Sequence, residues 1–98
     1  MYTVKILPLA KQDIKEAAKW YNSRQKGLGL RFTQDVRSKT SFIKKTPQTT
    51  SIRYDNIHCA VLDVFPFMIH YSIDDTQKLI IIVGVFHTSR SPEIWPKK

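Results

Sequence analysis

Few side chains in this 98-residue sequence have the type and spacing to do chemistry. His87 closes a long apolar run, Arg90 follows three residues later, and Arg53 stands upstream on a short segment. An imidazole with an unperturbed pKa of roughly 6.5 can give or take a proton near neutrality. His58 and His70 could be neighbours on adjacent strands, but no third ligand accompanies them, so no metal site is expected. Cys59 is the single cysteine. It can form neither an internal disulfide nor a Cys-rich metal cluster, agrees with a reducing compartment, and reads as a small buried hydrophobe. Gly27-Leu28-Gly29 lacks the spacing and the lysine of a phosphate loop and fits a turn that needs positive φ. No cofactor is expected.

The elements that must position these groups follow from periodicity. Tyr2, Val4 and Ile6 alternate with Thr3 and Lys5, the period of a half-buried strand. Ala10, Ile14, Ala17 and Tyr21 then recur at helical spacing, with Pro8 suited to the first turn. After a short loop, Ser23 to Gly27, the residues Leu28, Phe32, Val36 and Ile43 lay a second apolar stripe. Thr46-Pro47 closes that helix, because the residue before a proline is driven out of the α region. The two helices form an antiparallel hairpin. Beyond Pro47 the period changes to two: Ile52–Tyr54 is a short strand, Asp55-Asn56 a turn, and His58–Val64, Phe67–Ile73 and Lys78–His87 are three strands. Leu79 to Phe86 is apolar without alternation, as in a central strand covered on both faces. The expected order is β-α-α-β-β-β. This is an α+β domain over residues 1–98, with an antiparallel curved sheet packed against a helical hairpin.

Composition bounds the function classes. The chain is 42% hydrophobic and 11% aromatic, so it should fold, and its length suits one domain. Its longest apolar run falls far short of the roughly 20 residues that cross a membrane. The N-terminus lacks the long apolar region and cleavage site of a signal peptide, and a cytoplasmic location is expected. The net charge is +8, all of it carried by residues 1–50; residues 51–98 balance to zero. A basic half of this kind suits an acidic partner: nucleic acid, an anionic surface or an acidic protein segment.

Three stretches together resemble a known family. They are Trp20-Tyr21 followed by Lys26-Gly27-Leu28-Gly29-Leu30-Arg31-Phe32; the strand entry Phe65-Pro66-Phe67-x-Ile69-x-Tyr71; and the ending Val83-x-Val85-x-His87-Thr88-x-Arg90-x-Pro92-x-x-Trp95. In order and in element type they look like the RelE/ParE superfamily, toxins of bacterial type II toxin-antitoxin systems. The first two resemble the ParE branch, often labelled plasmid stabilization proteins, more than the RelE branch. The resemblance implies a toxin neutralised by a cognate antitoxin whose acidic segment wraps it. For a ParE-like member it implies inhibition of DNA gyrase. The alternatives are a RelE-like endonuclease cutting mRNA in the ribosome, with His87, Arg90 and Arg53 as its catalytic set and Tyr71 near them, and a non-toxic remnant that only binds antitoxin. RNA cleavage needs a base, an acid and cations on the phosphate. Asp63 stands where many relatives have arginines, and its charge has the wrong sign for phosphate. The residues expected to bind a partner are Lys15, Lys19, Arg24, Lys26 and Arg31 on the hairpin and Trp95 in the tail. Arg90, Pro92 and Trp95 are expected to fold that tail over the sheet.

Overall fold

The computed structural model describes residues 2–89. Arg90, Pro92 and Trp95 lie outside the described residues. Strand β1 (Thr3–Ile6) leads into helices α1 (Pro8–Arg24) and α2 (Leu28–Lys45), then a single 3-10 turn at Pro47–Thr49 and strands β2 (Ile52–Tyr54), β3 (Ile57–Val61), β4 (Phe67–Asp74) and β5 (Leu79–His87). The sheet order is β1-β5-β4-β3-β2. The last four strands form the expected antiparallel meander, but β1 pairs parallel to β5, so the sheet is mixed. The hairpin α1–α2 is the crossover that returns the chain to the far edge, and such a crossover permits parallel pairing.

Local chemistry explains the elements. Pro8 occupies the first turn of α1, where its missing N–H is not needed. The two glycines of the Gly-Leu-Gly turn have different duties. Gly27 sits at φ 93° in the left-handed region, its N–H donating to Asn22 Oδ1 at 2.8 Å. Gly29 lets the helices touch: a Cβ there would come within 2.5 Å of the Ala18 carbonyl oxygen. Asp55 and Asn56, both at positive φ, make the tight β2–β3 turn.

One face of the sheet carries both helices. Phe32, Ile43, Ile69, Tyr71, Ile80 and Ile82 fill this core, and Tyr21, Phe32, Phe65 and Phe67 form its aromatic end, with Tyr21 and Phe65 ring centres 4.7 Å apart. The opposite face carries a second cluster of Ile57, Cys59, Met68 and Phe86, beside the buried His70. Strand β5 serves both faces through a bulge. His70 pairs with Gly84 and Tyr71 with Ile82, which leaves Val83 as the extra residue. Even-numbered Ile80 and Ile82 face the helices before the bulge, and odd-numbered Val85 does so after it. The run without alternation has this shift of phase as part of its cause.

Strand β3 ends at Val61, short of the expected Val64. Asp35 on α2 accepts the N–H groups of both Val64 and Phe65 at 2.9 Å, bending the chain off the sheet and onto the helix. Among the described residues, no helix is long and apolar enough to cross a membrane.

Candidate functional site

Strand β1 covers β5 only along residues 79–82, so the second half of β5 faces α1 with no strand between them. A cleft of about 410 Å³ opens there, lined by Asp13, Glu16, Trp20 and Tyr21 of α1, Phe67 of β4, Val85 and His87 of β5, and Ser89. The α1 residues follow from helical spacing: positions 13, 16 and 20 lie along one flank, turned from the core stripe toward β5. Asp13 takes the place of a strand partner, its Oδ2 accepting the Val85 N–H at 3.1 Å.

His87 pairs with Phe67, and its ring meets the Phe67 ring edge to face at 5.2 Å. Nδ1 accepts the Ser89 N–H at 3.0 Å, with the Ser89 hydroxyl at 2.7 Å, so the imidazole caps the strand end. That arrangement leaves Nε2 as the nitrogen able to meet a partner in the cleft.

The expected catalytic set is not brought together among the described residues. His87 faces the helices at one end of β5. Arg53 lies exposed on the edge strand β2, three strands away and beside the other end of β4. At roughly 4.8 Å between neighbouring strands, the sheet alone separates them by more than 14 Å. Arg53 instead acts on Cys59 and His70, which share the face opposite the helices. Burial pushes the Cys59 thiol up, and the nearby Arg53 charge partly opposes the rise. Burial and the Arg53 charge together lower His70 to about 4. Tyr71 is a core residue whose hydroxyl donates to the Pro47 carbonyl and meets Thr50 Oγ1, both at 2.8 Å.

His58 and His70 stand on adjacent strands but on opposite faces, because Tyr71 is the partner of His58 and Cys59 that of His70. His58 stacks on Tyr71 and bonds the Thr50 carbonyl through Nδ1 at 2.7 Å. Among the described residues, no group of three histidines, cysteines or carboxylates could hold a metal ion.

The five hairpin cations expected to bind a partner are exposed but divide among three surfaces. Lys15 and Lys19 share the solvent stripe of α1, and Lys26 stands in the turn. Arg24 places its guanidinium 4.7 Å from the centre of the Trp20 ring. Arg31 lies on the flank of α2 that meets Asp63 and Val64. Asp63 itself is exposed and pairs with Lys39 at 3.0 Å. Sequence reasoning missed Asp13, Glu16 and the cleft they line. The available signal was two acids three residues apart on an otherwise basic helix.

A family model described as the ParE toxin of the type II toxin-antitoxin system parDE matches residues 4–92. No curated protein sequence matches the chain. Among solved structures, the chromosomal ParDE system from P. aeruginosa superposes with a TM-score of 0.79 at 15% identity, covering 91% of this chain and 98% of that one. The intact E. coli RelBE toxin-antitoxin complex gives 0.64 at 14% identity, covering 92% and 100%. The isolated E. coli RelE toxin gives 0.65 at 14% identity, covering 95% and 90%. These likenesses establish the fold, and the family match over residues 4–92 establishes the lineage: the chain belongs to the ParE toxins of type II toxin-antitoxin systems.

Proposed function

We propose that this toxin acts by binding and inhibiting a macromolecular target, DNA gyrase being the one that the ParE resemblance implies, and that a cognate acidic antitoxin neutralises it. The observation that carries the reading is the separation of His87 on β5 from Arg53 on the edge strand β2, three strands apart. Transesterification of RNA needs an acid, a base and a cation within hydrogen-bond reach of one phosphate. The described residues offer instead a basic hairpin surface, and the whole charge of +8 belongs to residues 1–50. A flexible acidic chain gains association rate and register from such a surface. Lys15, Lys19 and Lys26 form the part of it turned to solvent, with Arg24 and Arg31 on its flanks; Trp95 joins them as a proposed contact outside the described residues.

Purified gyrase tests the target directly. The expected result is loss of supercoiling in the presence of the protein, and its reversal by antitoxin. Unimpaired supercoiling, together with early arrest of translation and cut messages on induced expression, would overturn the gyrase reading. In that case His87→Ala should abolish toxicity, whereas the binding reading predicts that it persists.

A further inference from the structure

The face of the sheet turned away from the helices is buried, although no described element packs over it. Both helices and the Pro47–Thr49 turn lie on the other side, where Phe32, Ile43 and Tyr71 meet them. The opposite cluster consists of strand residues alone. Yet Ile57, Cys59, Met68, His70, Ser72 and Phe86 are none of them more than 8% exposed. Cover is partly local. Tyr54 reaches in from the edge strand to bond His70 Nδ1 at 3.1 Å. The Phe86 ring leans over Gly84 and fills the space a side chain there would need, since a Cβ would come within 2.6 Å of Phe86 Cζ. The three rings make a continuous floor, with centres 5.7 Å apart for Tyr54 and His70 and 4.8 Å for His70 and Phe86. A ring laid along a sheet has an outer side of its own, and Phe86 at 7% exposure has that side covered as well. Tyr54, His70 and Phe86 each make a further polar, charged or ring contact beyond these. A sheet face this dry requires a second layer.

We propose that residues 90–98 supply this layer and that the indole of Trp95 lies across the floor made by Tyr54, His70 and Phe86. Connectivity and composition select the occupant. The chain leaves β5 at His87, one residue past Phe86, so the segment begins at the rim of the face it would cover. Trp95 is six residues beyond Ser89, about 20 Å of extended chain, against roughly 14 Å from β5 across the sheet to β2. Pro96 drives Trp95 to extended backbone, and Pro92 and Pro96 lack the N–H that a strand ladder demands. Such a segment lies on a sheet as a strap, and the indole is the largest apolar surface it can offer. With the strap seated, this face is closed to a target. A partner meets the exposed Arg53 at its edge and the outer side of the indole, while the basic hairpin stays open. None of this depends on the target named above.

Nuclear Overhauser spectra of the full chain test the packing without a variant. Contacts are expected from the Trp95 indole protons to the Phe86 and Tyr54 rings and to the Met68 methyl group. Their absence would overturn the proposal. Indole contacts to Tyr21 and Phe67 instead would also overturn it, assigning the tail to the α1–β5 cleft that Ser89 lines. Cys59 gives a second readout, being the one thiol of the chain and part of the covered face. Trp95→Ala should raise its rate of labelling by a thiol reagent roughly tenfold through easier local opening, with helix content by circular dichroism unchanged. Trp95→Phe, which keeps a ring over the floor, should restore most of the protection. Equal labelling of folded Trp95→Ala and the unaltered chain would remove Trp95 as the cover and refute the proposal. Neither measurement reads toxicity or gyrase, so failure of the proposed function and failure of the tail packing are separable.

Discussion

The two faces of the sheet are both buried, yet by different means. On the helix face the polar atoms stand at the rim: the Tyr71 hydroxyl reaches Pro47 and Thr50 at one end, and the Asp35 carboxylate holds the Val64–Phe65 loop at the other. Between them lies a continuous apolar and aromatic core. On the opposite face the polar group is at the centre. His70 is fully buried, bonded to the Tyr54 hydroxyl at 3.1 Å and flanked edge-on by Phe86 at 4.8 Å. The helix face should therefore fail when volume is removed, while the opposite face should respond to protons.

Volume removal gives the largest effect. Phe32 is fully buried and contacts Tyr21, Phe65 and Phe67, so Phe32→Ala should cost about 4 kcal/mol in chemical denaturation. A loss under 1 kcal/mol would mean that the helices do not pack on the sheet as described.

Acidification should break the opposite face next. His70 has its pKa lowered to about 4 from 6.5 by burial, with a contribution from Arg53. In the unfolded chain the imidazole takes up a proton near pH 6.5; in the folded chain it stays neutral until about pH 4. Stability contributed by this group is thus complete above pH 6.5 and falls as the pH drops toward 4, by on the order of 3 kcal/mol. Urea midpoints at pH 7 and pH 4.5 measure it. His70→Phe should flatten that dependence, and an unchanged slope would remove His70 as its source.

The asymmetry of the faces also decides what could be read in the sequence. The helix stripes Ala10-Ile14-Ala17-Tyr21 and Leu28-Phe32-Val36-Ile43 are local signals, and all eight residues are in the core or packed against it. The parallel partnership of β1 with β5 joins residues more than seventy positions apart, which no local period encodes. The bulge at Val83 hid the alternation of β5, and with it the fact that His87 turns toward the helices. The cleft was illegible for a related reason. Its α1 flank was visible as spacing, but its other wall exists only because β1 stops at Ile6 and leaves the end of β5 uncovered. The lysine-rich stripes were legible, and their division among separate surfaces was not, since that division depends on how α2 is rotated against the loop that Asp35 holds.

That loop supplies a smaller prediction on the helix face. Asp35→Ala leaves the Val64 and Phe65 N–H groups without their acceptor and should cost about 2 kcal/mol. Lys39→Ala breaks the ion pair with the 68% exposed Asp63 and also removes a side chain that is 14% exposed and an ammonium 5.0 Å from the Phe42 ring centre, so it should cost about 1 kcal/mol. A cost for Lys39→Ala equal to that of Asp35→Ala would mean that the loop is held by charge at the surface instead of by the buried carboxylate.

Arg53→Gln gives the smallest expected effect and separates the two causes acting on His70. Removing the cation makes protonation of His70 easier, so its folded pKa should rise while burial, the larger cause, keeps it below 6.5. A folded pKa closer to the unfolded one means less stability lost on acidification. The curve of stability against pH should become shallower by a few tenths of a unit in apparent pKa, because an exposed charge acts through screened solvent. Raising the salt concentration on the unaltered chain should reproduce part of this shift and have no effect on Arg53→Gln. Histidine titration by NMR reads both. If salt and Arg53→Gln leave the His70 titration unmoved, the opposite face owes its response to burial alone, and Arg53 is free to serve a partner without altering the stability of the fold.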